Sequence, residues 1–150
     1  MADETDLIKL YSKRILGLAA NMPDADRLEN PDGTARKRSP LCGSAVTVDL
    51  KIANGRIVQY GQDVKACALG QASASVIAAN AVGCNRTEIE VGRTALLNML
   101  EAEAPPPEAP FDGLEALLPA RDYKNRHASI LLTFDAILAA FDNAEAQATA

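Results

Sequence analysis

A chain of 150 residues with a formal charge of −5, 48% hydrophobic residues, no Trp and only three Phe and three Tyr is sized for one domain with an aliphatic core. The acidic balance argues against wrapping nucleic acid, which takes a basic face to displace phosphate counterions. No apolar stretch approaches the roughly 20 residues that span a bilayer.

The opening residues Met1-Ala2-Asp3-Glu4-Thr5-Asp6 are acidic where a secretory signal would be basic and then apolar. The expectation is a cytoplasmic protein without membrane or nucleic-acid partners, in which three cysteines stay reduced rather than forming a disulfide framework. The first helix is expected over residues 7–22, where Leu7, Ile8, Leu10, Tyr11, Ile15, Leu16, Leu18 and Ala19 recur at helical spacing behind Thr5 or Asp6 as cap. Residues 23–40, rich in Asp, Asn, Pro, Gly and Arg and without periodicity, read as a polar loop leading to Cys42. The run Arg36-Lys37-Arg38 inside it reads as solvated charge.

Residues 45–52 and 56–64 alternate β-branched side chains around Asn54-Gly55. This pair accepts the positive φ of a type I′ turn, so a β-hairpin is expected. Residues 69–82 form an Ala-rich helix, with Ser73 and Ser75 as small packing residues and Gly83 as its C-cap. Thr87 and Glu90 have capping-box spacing for a helix running towards Ala102. The proline run over 104–110 is a rigid connector. After an apolar patch at 114–118, a last helix is expected over 126–143, with Ile130, Leu131, Phe134, Ile137, Leu138 and Phe141 on one face. Residues 1–6 and 144–150 are expected to be disordered. The order gives one α+β domain over 1–150, a small antiparallel β-sheet covered on one side by helices.

Cys42 lies in the turn Ser39-Pro40-Leu41-Cys42-Gly43-Ser44 before the first strand, and Cys67 lies between the second strand and the Ala-rich helix. If the strands pair through Asn54-Gly55, both thiols emerge at the same end of the hairpin. Two thiols beside a helix N-terminus have a physical reason to ionise, and thiolate binds zinc, ferrous iron or an iron–sulfur cluster. The alternative is that each is a small buried hydrophobe. Cys84, at the far end of the Ala-rich helix and about 20 Å from Cys67 by the helical rise, cannot share a metal with it. The signatures of nucleotide, zinc-protease and hydrolase chemistry are absent.

These residues resemble a known family. Pro40-Leu41-Cys42-Gly43 is similar to the N-P-x-C-G-D element of the U-type iron–sulfur cluster scaffolds (IscU, SufU and the NifU N-terminal domain). Cys67-Ala68-Leu69-Gly70-Gln71-Ala72-Ser73-Ala74-Ser75 is similar to the family's G-C-x-x-x-x-A-S-[AS]-S. Tyr11-Ser12-Lys13-Arg14-Ile15-Leu16 resembles its opening helix, and Asn30-Pro31 its E-N-P element. The resemblance implies a non-enzymatic α+β scaffold that assembles a transient iron–sulfur cluster from iron, electrons and sulfide delivered by a cysteine desulfurase, then passes it to acceptor proteins. Zinc can occupy the same site, and a zinc-bound sulfurtransfer partner of the desulfurase is the second reading. A family member that binds partners without metal is the third.

Carried over residue by residue, Cys42 and Cys67 match the first two cysteine ligands. The family's Asp two positions after the first cysteine is Ser44 here, and its third cysteine, at the start of the last helix, falls at Ala128. His127, the single histidine, stands beside that position and is the expected third donor, giving Cys42, Cys67 and His127 as the ligand set. Lys124, Arg126 and Arg121 are charges near it. A site shared between two chains in a homodimer would supply further ligands.

Overall fold

The structure is a computed structural model and describes residues 12–23, 25–40 and 43–149. Helix α1 (Lys13–Ala20) starts at Ser12, whose Oγ accepts a hydrogen bond from the Ile15 amide at 3.3 Å, and it buries Ile15. Residues 7–11 of the helix expected over 7–22, and the acidic residues 1–6, lie outside the described residues.

Three antiparallel strands follow in the order β1 (Gly33–Arg38), β2 (Ala45–Ala53) and β3 (Arg56–Lys65). The expected hairpin is β2 and β3. Asn54 and Gly55 take φ of 54° and 77°, the pair of positive values a tight turn of this kind demands. Its register sets Ala45 opposite Lys65 and Leu50 opposite Tyr60, with an irregularity at Lys51/Ile52. Val46, Val48, Leu50, Ile57 and Tyr60 form the buried inner face.

β1 corrects the reading of 23–40 as loop. Its inward positions are Gly33 and Ala35 because the last helix crosses there at close range: a Cβ on Gly33 would fall 2.1 Å from the Ala140 carbonyl oxygen. A strand that must be thin on its packed side carries no apolar alternation. Ahead of it, residues 25–28 cross the outer face of the sheet. The Gln62 amide donates to Ala25 O at 2.7 Å, and a Cβ on Gly61 would meet Asp26 O at 2.5 Å. The fully buried Asp49 of β2 anchors this crossing, accepting from Arg27 Nε at 2.5 Å, Leu28 N at 3.0 Å and Thr34 Oγ1 at 2.7 Å. Burial opposes its ionisation, but these donors outweigh it and hold the carboxyl below the usual range.

Helices α2 (Ala68–Asn80), α3 (Arg86–Glu101) and α4 (Lys124–Ala148) complete the core, with a 3₁₀ segment (Asp112–Asp122) between the last two. Gly83 takes φ of 97° in the turn beyond α2 and donates to Ile57 O. The cap of α3 is Asn85 with Glu88, not Thr87 with Glu90: Asn85 Oδ1 accepts from the Glu88 amide and Glu88 Oε1 from the Asn85 amide. The site is fixed by tertiary contact, since Asn85 bridges to Arg56 of β3 and Arg56 pairs with Glu88. α4 begins at Lys124 and stays helical through Ala148, beyond the expected end at Asn143. Arg86 pairs there with Asp142 and Glu145, and Asn143 accepts from the Thr34 amide. Among the described residues no helix is long and apolar enough to cross a membrane.

Candidate functional site

Cys67 is the N-cap of α2, half-buried, with φ −66° and ψ 171° and no side-chain capping bond. The register that sets Ala45 against Lys65 brings the start of β2 to the end of β3, as the hairpin argument requires. Helix α4 closes the third side. Gly70, one turn into α2, lets α4 approach, because a Cβ there would sit 2.6 Å from Ser129 Oγ and 2.8 Å from the Ala66 Cβ. One turn later Ser73 Oγ donates to Ile130 O at 2.6 Å and pins the crossing.

This packing places Ser129 Oγ 3.7 Å from Cys67 Sγ and 3.0 Å from Ser44 Oγ, with both serines buried. The turn before β2 is closed by Ser39 N donating to Ser44 O at 2.8 Å and by Gly43 N donating to Ser39 O at 3.0 Å, with Gly43 at φ 69°. Leu41 and Cys42 lie outside the described residues. Arg38 pairs with Ala45 in register, so Arg38 and Lys65 put two exposed cationic side chains on this end of the sheet.

His127 is engaged by backbone carbonyls. Its ring is 3% exposed and packs against the end of the 3₁₀ segment, with Nε2 3.0 Å from the carbonyl oxygens of both Ala120 and Arg121. Two acceptors fix Nε2 as the protonated nitrogen. Nδ1 has no hydrogen-bond partner and lies 3.8 Å from Glu101 Oε1. Residues two apart on a helix point about 200° apart, so a ring turned to the 3₁₀ segment is on the far side of α4 from Ser129. The expected third donor therefore serves the junction of two helical segments. Arg121 is likewise committed elsewhere, donating to Met99 O at 2.8 Å. Among the described residues no three His, Cys, Asp or Glu side chains converge on a metal position.

The crystal structure of a nitrogen-fixing NifU-like protein (N-terminal) from Brucella abortus superposes with a TM-score of 0.90 and 44% sequence identity, covering 95% of this chain and 99% of that one. This chain belongs to the NifU-like family of U-type scaffolds. Two further structures share the fold at lower identity. A protein from Fervidobacterium islandicum AW-1, described as an iron–sulfur cluster assembly scaffold for the SUF system, gives a TM-score of 0.79 at 20% identity over 89% of this chain and 97% of that one. A hypothetical protein gives 0.75 at 16% over 90% and 98%. No protein-family model matches the sequence, and no curated protein matches it.

Within this NifU-like chain, Ser129 is the neighbour of Cys67 that the sequence did not single out. The motif alignment pointed one position earlier, to Ala128, which is exposed. A signal was present. Ser129, Thr133, Ala136 and Ala140 are all buried and recur at helical spacing, a small-residue stripe that marks where neighbouring backbone comes close. Gly70 meets it at one end and Gly33 at the other.

Proposed function

We propose that this chain is a scaffold for iron–sulfur cluster assembly, with Cys67 and Cys42 as the protein thiolates that hold the cluster as cargo. The observation that carries the reading is the position of Cys67: a half-buried thiol at a helix entrance, not engaged in capping, at the end of the sheet where β2 begins and β3 ends. The sequence supports Cys42 as its companion, because Pro40-Leu41-Cys42-Gly43 matches the first cysteine element of the scaffold family. The helix N-terminus, Arg38 and Lys65 contribute the positive potential that an anionic, thiolate-bound cargo favours. Kinship with the NifU-like protein supports the same reading.

In this role the protein holds and releases rather than turns over. Ferrous iron and sulfide from a cysteine desulfurase enter, and acceptor proteins take the finished cluster. His127 is left out of the ligand set and given the structural part its carbonyl partners define. Zinc, which takes thiolate and nitrogen donors, competes for the same two sulfurs.

The test is anaerobic reconstitution with ferrous iron, sulfide and reductant. Charge-transfer absorption in the visible region is expected in the native chain, lost in Cys42→Ala and in Cys67→Ala, and kept in Cys84→Ala. Equal iron and sulfide retention by the Cys42→Ala/Cys67→Ala double variant would falsify the assignment.

A further inference from the structure

The exposed face of α3 borders a groove that the scaffold reading does not use. Residues 104–110 run alongside that face and are tied at both ends. The Ala104 amide donates to Asn98 O at 3.1 Å, and Phe111 packs against Gly92, where a Cβ would fall 2.9 Å from its ring. Phe111 is held edge-on by Phe134, with ring centroids 5.1 Å apart. Between these anchors consecutive prolines keep the wall extended without help from neighbours. The groove between wall and helix has a volume of about 450 Å³, and a second of about 390 Å³ continues it across Val91, Ala95 and Asn98. Val91 is 63% exposed, more than any other large hydrophobic side chain among the described residues. Two properties define what fits. The first is the backbone: from Val91 to Asn98 the α3 amides are bonded within the helix, and the prolines of the wall have none. An extended segment would find no row of donors for its carbonyls, whereas a helix satisfies its own. The second is charge: no Lys or Arg lines either part of the groove, and Glu88, Glu90 and Glu108 stand along it. Arg56 and Arg86 pair with the first two, but Glu108 has no cationic partner among the described residues.

We infer that this groove is a docking site for an amphipathic helix of a partner protein, its apolar ridge laid on Val91 and Ala95 and its flanks carrying Lys or Arg opposite Glu90 and Glu108. From Thr87 to Asn98 the helix offers about 16 Å, room for apolar anchors at i, i+3 or i+4, and i+7. The site goes beyond the scaffold reading and does not depend on it.

The probe is a synthetic helical peptide with Leu at i, i+3, i+4 and i+7, Lys elsewhere and a fluorescent label, titrated with the full-length chain and followed by anisotropy. One comparison peptide has Glu for every Lys, and another keeps the composition but scatters Leu around the helix. The native chain is expected to bind the first peptide and to reject both comparison peptides. Val91→Lys, a substitution at an exposed position, is expected to weaken binding roughly tenfold or more, and Glu108→Lys about threefold. Val82→Lys, at a comparably exposed valine outside the groove, is expected to leave binding unchanged. Circular dichroism checks that each variant is folded. The inference is overturned if Val91→Lys binds as the native chain does, if Val82→Lys loses as much, or if the scattered-Leu peptide binds equally well, which is adhesion by charge alone. A native chain that binds none of the peptides overturns it too. So does self-association in light scattering that Val91→Lys abolishes, since the groove then belongs to a second copy of this chain. Every readout is made without iron or sulfide, so its outcome stands apart from cluster reconstitution.

Discussion

Helix α2 has a cysteine off each end, and the two ends treat sulfur in opposite ways. Cys67 at the N-terminal end is half-buried, with its polar neighbour Ser129 3.7 Å away. Cys84, just past the C-terminal end, is 3% exposed and donates to Asn80 O at 3.3 Å. Burial pushes the Cys84 thiol up, the Glu88 carboxylate adds to this, and Arg56 only partly opposes it. One thiol is presented and the other is kept neutral as a packing group, although they are the same side chain flanking one helix. Chemistry here is decided by which elements converge on the sulfur.

The largest test of that contrast is native-state alkylation followed by peptide mapping. Cys67 is expected to react at the rate of an accessible thiol. Cys84 should wait for unfolding and react slower by a factor on the order of a thousand or more. Comparable rates would break the comparison.

Asp49→Ala should weaken it from the stability side. The substitution removes the acceptor for the Leu28 amide and the Thr34 hydroxyl, while the ion pair with the half-exposed Arg27 itself counts for little, so a loss of about 2–3 kcal/mol is expected in urea denaturation. Cys84 labelling would accelerate accordingly, with Cys67 labelling unchanged. Because the folded carboxyl titrates below its unfolded value of about 3.9, its stabilisation is present above that pH and is lost as the pH falls through the folded value. Denaturation midpoints of the native chain should therefore drop on acidification below about pH 4 more steeply than those of Asp49→Asn.

Gly70→Ala acts on the Cys67 end. The added methyl group collides with Ser129 and Ala66, costing about 1–3 kcal/mol and lowering the yield of reconstituted cluster. Asn85→Ala acts on the other end. Losing this cap should cost about 1 kcal/mol and speed Cys84 labelling several-fold, with cluster yield untouched.

How much of this was legible in the sequence differs from element to element, for physical reasons. The hairpin was readable because Asn54-Gly55 is a local signal and its flanking strands bury β-branched side chains. β1 was not, since Gly33 and Ala35 are shaped by a helix more than a hundred residues away. The start of α3 was placed two residues late, at Thr87, because the contact with Arg56 that fixes Asn85 as the cap is tertiary and leaves no mark in local spacing. For the candidate site, the position of Cys67 where β3 ends and α2 begins followed from the hairpin's closure. His127 was drawn to the metal by its place in the motif, but a helix turns about 100° per residue, so adjacency in sequence says little about which way a ring faces. Ser129 needed the crossing of α2 and α4, which the small-residue stripe hinted at but did not orient.

The two margins of the sheet are protected from pairing with other chains by different means. Along β3 the backbone is covered, by Ala25 at Gln62 and by Gly83, Cys84 and Asn85 at its first turn. β1 has no strand partner on its outer side among the described residues, and there the run Arg36, Lys37 and Arg38 stands exposed or nearly so. Like charges stacked along an open margin repel a second copy before its backbone can dock. The basic run thus acts as a guard against edge-to-edge association, at the end of the sheet where Cys67 also lies.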